Sequence, residues 1–213
     1  METLCTLSTR CMGEPALILE TQQSDLDTFN QLVLANQGSL FNVALRMLGD
    51  TELAADATQD AFVSAFRSLN SFRGGSFKAW LMRIVTNTCY NELRRQKRRP
   101  TVPLELNNDD GEEIETPRWM ADSSMLPEEK FEAAELEHAI QRCLDALPVK
   151  FRTVVVLVDV LGMDYSEAAS AARVPLGTVK SRLARARQRL RGSLQGYREL
   201  LPAAFRLEKE AAL

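Results

Sequence analysis

The chain has 213 residues, a formal net charge of −3, and 45% hydrophobic and 26% charged side chains, the profile of a globular protein of one or two domains. The four cysteines (Cys5, Cys11, Cys89, Cys143) form no CxxC pair and the single histidine is His138, so neither a structural zinc site nor a disulfide framework is expected, and no cofactor is called for. The longest apolar run, Val154–Val158, is far too short to span a membrane, and no basic-then-apolar leader opens the chain, so a cytoplasmic protein is expected.

Charge is unevenly distributed. Between Pro100 and Glu137 stand twelve acidic and two basic side chains, so the rest of the chain is basic. Such segregation points to basic surfaces for an anionic partner joined by an acidic segment.

Residues 1–23 show no period and are read as an N-terminal extension. Ser24-Asp25-Leu26-Asp27 has the spacing of a capping box and opens an amphipathic helix marked by Leu26, Phe29, Leu32 and Val33, whose periodicity runs through Leu40, Phe41, Ala44, Leu45 and Leu48. Gly49-Asp50 stops it. A second helix starts at Thr51, with Phe62, Phe66 and Leu69 expected as its buried stripe. Asp56, Gln59 and Asp60 fall elsewhere on its surface, as a solvated patch or a docking face.

Asn70–Ser76 (NSFRGGS) reads as a loop, and Phe77–Arg95 as a long helix whose inner face is Trp80, Leu81, Ile84, Val85 and Thr88. Along one edge Arg83, Asn87, Tyr90 and Arg94 recur at steps of four, three and four, offering phosphate charge, an amide for base edges and a ring for stacking. With Asn70, Ser71, Phe72 and Arg73 just before it, this stripe suits single-stranded or melted nucleic acid better than a regular groove.

Residues 100–128 have the prolines, acids and small polar residues of a linker, with Trp119 the one large anchor. Helical periodicity resumes through Phe131, Leu136, Ile140 and Leu144. After Pro148, the run FRTVVVLVDVLG suits a strand by local propensity, but with helices on both sides a buried helix is the coherent reading.

From Leu161 to Arg191 the sequence reads as helix, tight turn, helix. Ser166 is the expected cap of the first helix, Arg173-Val174-Pro175 the break, and Leu176 to about Arg191 the second helix. Its apolar stripe is Val179, Leu183, Ala186 and Leu190. Lys180, Arg187 and Arg191 flank the stripe on one side and Arg182, Arg185 and Arg189 on the other, with Ser181, Ala184 and Gln188 on the far face. Arg173–Arg191 holds seven basic residues and no acidic one. An ordinary exposed helix mixes signs at i,i+4, so this one is read as a major-groove helix with its rails on phosphates. Residues 193–213 form a C-terminal extension with a short apolar face of Tyr197, Leu200, Leu201, Ala204 and Phe205. The expected architecture is therefore all-α: two helical domains, over 24–99 and 129–192, joined by the acidic segment. With no nucleophile–base arrangement in view, no enzyme is expected.

Gly49-Asp50, Ala55-Asp56, Gln59-Asp60-Ala61-Phe62, Ser71-Phe72-Arg73-Gly74 and Trp80-Leu81…Ile84…Asn87 together resemble the first domain of extracytoplasmic-function sigma factors of bacterial RNA polymerase. Leu147-Pro148…Phe151-Arg152, Tyr165-x-Glu167-Ala168-Ala169 and Pro175-Leu176-Gly177-Thr178-Val179-Lys180-Ser181-Arg182 resemble the second. The resemblance implies a subunit that binds core RNA polymerase and selects promoters. Asp56, Gln59 and Asp60 would dock on the clamp helices. Asn70, Ser71, Phe72, Arg73, Lys78, Trp80, Arg83, Asn87, Tyr90 and Arg94 would hold the melted minus-ten strand. Thr178, Lys180, Ser181, Arg182, Arg185, Gln188 and Arg189 would read the minus-thirty-five duplex, with this domain touching the polymerase flap. An anti-sigma protein is the regulator the resemblance implies. One departure stands out: the turn position where the family commonly has glycine is Arg173, where a left-handed backbone is strained.

Overall fold

The computed structural model describes residues 26–98 and 127–201. The N-terminal extension with its capping box, the linker with Trp119, Cys5 and Cys11, and the end of the C-terminal tail lie outside the described residues.

The described residues form helices, as expected. α1 (Leu26–Leu48) and α2 (Thr51–Ser68) meet at Gly49-Asp50. Gly49 takes a left-handed φ of 76° and its N–H reaches Leu45 O at 2.8 Å, closing α1. Asp50 is extended, and its carboxylate accepts the Leu53 N–H at 2.8 Å, opening α2. Two residues thus end one helix and start the next.

α2 corrects the expected stripe. Its buried side chains are Ala54, Ala57, Thr58, Ala61 and Ala65, and only Leu69, just past its end, is buried among the residues predicted. Phe62 is half-buried and Phe66 is 47% exposed, meeting Phe29 edge-on at 5.0 Å. A row of methyl groups lets α1 and α3 approach α2 closely, which turns the phenylalanines out to the rim.

After a single 3-10 turn (Leu69–Ser71) and an open stretch, α3 spans Phe77–Arg98, three residues past the expected end. The Ser76 hydroxyl accepts the Ala79 N–H at 3.2 Å and caps it. Trp80, Leu81 and Val85 are buried as predicted; Ile84 and Thr88 are half-buried, and Thr86 and Cys89 take the inward positions. Burial pushes the Cys89 thiol up to about 12, leaving it protonated and inert.

The second half comprises α4 (Pro127–Asp145), α5 (Val149–Val155), α6 (Tyr165–Ala172) and α7 (Leu176–Leu194). The valine-rich run is a buried helix, and it widens into a π turn over Val156–Val160 before Gly162 ends it at φ 66°. The cap of α6 is Asp164, not Ser166: its carboxylate accepts the N–H groups of Ser166 and Glu167 at 2.7 and 2.8 Å, while the Glu167 side chain returns to the Asp164 N–H. Asp164 wins because its acceptor lies one residue before the helical stretch, within reach of two free donors.

The two halves pack on one another, which no local pattern in the sequence indicates. One cluster of buried side chains runs through both, from Phe29 and Met47 to Val154, Leu183 and Ala186. At its polar edge the Arg152 guanidinium, 6% exposed, donates to Met47 O at the end of α1 and to Asp145 O, each at 2.7 Å, and pairs with the Asp145 carboxylate at 2.8 Å. Desolvation lowers the pKa of Arg152 and the Asp145 charge partly offsets this. Arg46 bonds Glu137 across the same seam at 2.7 Å.

Candidate nucleic-acid interface

The helix-turn-helix is assembled by α6 and α7. Val179, Leu183 and Ala186 are buried and Leu190 is half-buried, so the predicted stripe is the packing face. The turn is the left-handed one anticipated at Arg173, with φ 52° and ψ 46°. The Val174 N–H reaches Ala169 O at 3.1 Å and that of Arg173 reaches Ser170 O at 3.3 Å, the double bond of a Schellman turn.

The far face of α7 presents Ser181, Ala184, Arg185 and Gln188 to solvent. The basic rails are not equivalent. Arg187 is clasped by Asp159 of the π turn, Nε to Oδ2 at 3.0 Å and Nη2 to Oδ1 at 2.5 Å, and that hydrogen bond raises its pKa. Arg189 lies over the Phe151 ring at 5.2 Å, and Lys180 over Tyr165 at 5.9 Å. Arg182, Arg185 and Arg191 have no such partner among the described residues. Thr178 is half-buried beside Ser181 at the start of the helix. The arrangement is an exposed strip of hydroxyl, amide and free guanidinium on a rigid helix, able to bond base edges and phosphates together.

The upstream face is built differently. Phe72 and Trp80 are buried, packed with Phe77 in a cluster of three rings at centroid distances of 5.4–5.6 Å. Together the rings hold the loop, and Phe72 and Trp80 also line the cleft beside it. Asn70, Ser71, Arg73, Asn87 and Arg94 are exposed, while Lys78 and Arg83 are half-buried. Tyr90 is half-buried, and its hydroxyl pairs with that of Thr153 in the second half at 2.8 Å. A cleft of about 440 Å³ opens beside the loop, with Ser71, Arg73 and Arg83 on one wall and Ser166, Glu167 and Ser170 on the other.

Asp56, Gln59 and Asp60 are all exposed on α2, with Val63 (43% exposed) on the same side and Phe66 nearby. Sequence reasoning misses these two apolar neighbours of the patch, since it leaves Val63 unremarked and places Phe66 in the core. An acidic and amide patch around exposed apolar side chains has the make-up of a protein-docking surface. Among the described residues no cluster of three or more His, Cys, Asp or Glu side chains could hold a metal ion, and no helix is long and apolar enough to cross a membrane.

The family model of sigma-70 region 2 matches residues 32–99, and that of sigma-70 region 4 matches 137–190. The chain is 34% identical over 180 residues to the RNA polymerase sigma-H factor of Pseudomonas aeruginosa, covering 84% of this chain and 92% of that one. Two solved structures are similar. One is CnrH in complex with the cytosolic domain of CnrY (TM-score 0.63, 25% identity, covering 85% of this chain and 96% of that chain). The other is the sigma factor RpoE bound to the anti-sigma factor NepR, from Bartonella quintana (TM-score 0.59, 28% identity, 80% and 98% covered). Sigma-type regions at both ends, the helix-turn-helix seated in the second, and relatives matched over nearly their whole length, among them the ECF RNA polymerase sigma-E factor of Escherichia coli (33% identity over 185 residues, 86% of this chain and 95% of that one), lead to one assignment: the chain belongs to the extracytoplasmic-function sigma factors of bacterial RNA polymerase.

Proposed function

We infer that the protein acts in the cytoplasm as a promoter-specificity subunit, binding core RNA polymerase and directing initiation at one promoter class without chemistry of its own. The observation that carries this is the exposed strip of α7, Ser181, Arg185 and Gln188, on a helix with no acidic residue. There the domain reads the minus-thirty-five duplex, with Thr178, Lys180, Arg182 and Arg189 on or beside phosphates and the domain body against the polymerase flap. The loop from Asn70 to Arg73, with Lys78, Arg83, Asn87, Tyr90 and Arg94, takes the melted minus-ten strand. Phe72 and Trp80 serve that face from beneath, by fixing the loop. Asp56, Gln59 and Asp60 dock on the clamp helices, with Val63 as the apolar centre of the contact. Residues 24–99 and 129–192 are the two working domains, and 100–128 joins them.

Likeness to two chains solved with CnrY and NepR supports control by an anti-sigma protein. The deciding experiment is run-off transcription of genomic fragments by core polymerase with and without the chain. Transcripts from a restricted promoter set, sharing elements near minus ten and minus thirty-five, are expected. Core polymerase gaining no new start sites would remove the proposal.

A further inference from the structure

One buried ring carries two cations. Phe151 of α5 is 6% exposed, with Lys150 Nζ 5.3 Å from its centroid and the Arg189 guanidinium of α7 5.2 Å from it. Lys150 and Arg189 are both exposed, and neither has an ion-pair partner among the described residues. α5 and α7 contain no acidic residue that could supply one. The acids nearest Lys150 in sequence are already committed, Asp145 to Arg152 and Gln141, and Asp159 to Arg187. A ring face attracts each cation singly, yet two cations gathered on one ring also repel each other. An anion from outside the chain removes that repulsion and gains a charge-assisted bond from each.

The place of the pair indicates which anion. Arg189 is the last member of the rail that it forms with Arg182 and Arg185 along one flank of α7. Through the shared ring this rail leaves the helix and continues onto α5. We propose that Lys150 and Arg189 together grip backbone phosphates of the duplex that α7 reads, with Phe151 as the positioning residue that holds both. The inference rests on the reading of α7 as the duplex-binding helix, and adds to it a contact from outside the helix-turn-helix. A phosphate grip of this kind fixes the register of the protein on the duplex and carries no sequence information. The competing occupant is an acidic protein surface, which the test separates from DNA.

The test uses holoenzyme on a labelled promoter duplex from the run-off set, with affinity measured over a range of salt concentrations. Loss of one phosphate contact lowers the slope of log affinity against log salt by about 0.9. K150A should show that loss, equally on promoters with altered minus-thirty-five bases, while K150R keeps the parent slope. F151L, which retains apolar bulk without the ring, should weaken duplex binding in the parent chain. It should change nothing where Lys150 and Arg189 are already alanine; a merely structural ring would cost the same in both backgrounds, which overturns its positioning role. R185A is the reference. If R185A weakens binding while K150A keeps the parent slope, the proposal is overturned and the reading of α7 stands; if neither changes binding, that reading falls as well. K150A that leaves the duplex slope unchanged but weakens assembly with core polymerase assigns the pair to an acidic protein surface, and also overturns the proposal.

Discussion

The two basic surfaces of this chain differ in what covers them. On α7 the strip of Ser181, Arg185 and Gln188 stands in solvent, and only the lateral cations are tied down, Arg187 by Asp159 and Arg189 by Phe151. On α3 the corresponding strip is partly used up: Arg83 is half-buried in the cleft and Tyr90 is bonded to the opposite half. A duplex reader can be prebuilt because a groove offers a fixed shape. On the proposed reading the upstream strip is the one that meets melted strand, and two of its neighbourhood's groups, Tyr90 and Ser76, are engaged by the other half of the chain. Whether a surface is basic is thus a separate matter from whether it is available.

The comparison breaks most visibly at Arg152. Arg152→Met leaves Met47 O and Asp145 O without their donor, and should cost about 2–4 kcal/mol. In calorimetry the single unfolding transition should split into two as the halves uncouple. One transition at an unchanged temperature would mean that the seam does not depend on this residue. A smaller effect sharpens the open side. Arg185→Ala should cost about 1–3 kcal/mol of minus-thirty-five affinity in holoenzyme footprinting, whereas Arg187→Ala should cost less than about 1 kcal/mol because Asp159 already engages it. Equal losses would erase the distinction between free and committed rails. The smallest change concerns the turn. Arg173→Gly should raise stability by about 0.5–1 kcal/mol, strain relief at φ 52° exceeding the added freedom of the unfolded chain. A fall in melting temperature would show that the arginine side chain stabilises the turn it strains.

What can be read from sequence follows the same division. The stripe Val179–Leu183–Ala186, the break at Arg173 and the buried helix after Pro148 are local patterns, and each is found in place. The row in α2 escapes such reading because alanines at helical spacing carry a weak hydrophobic signal beside phenylalanines, although the closest packing favours the smaller residue. Trp80 has two sequence-based roles, inner face and strand contact; it is buried against Phe72 and Phe77 and also lines the cleft beside the loop. Arg152 and Glu167 are visible as parts of motifs, but their partners Met47 and Ser76 are 105 and 91 residues away in sequence. No periodicity encodes such pairings.

Gly49 does more than end a helix. A methyl group placed on its Cα would stand 3.0 Å from Asp145 Oδ2 and 3.2 Å from Oδ1, against the carboxylate that Arg152 holds. A side chain at this position requires the Asp145 carboxylate to give way by a few tenths of an ångström. Any side chain there would press on the second half's carboxylate that pairs with Arg152, at a backbone φ of 76° that itself favours glycine, while leaving the α7 strip untouched.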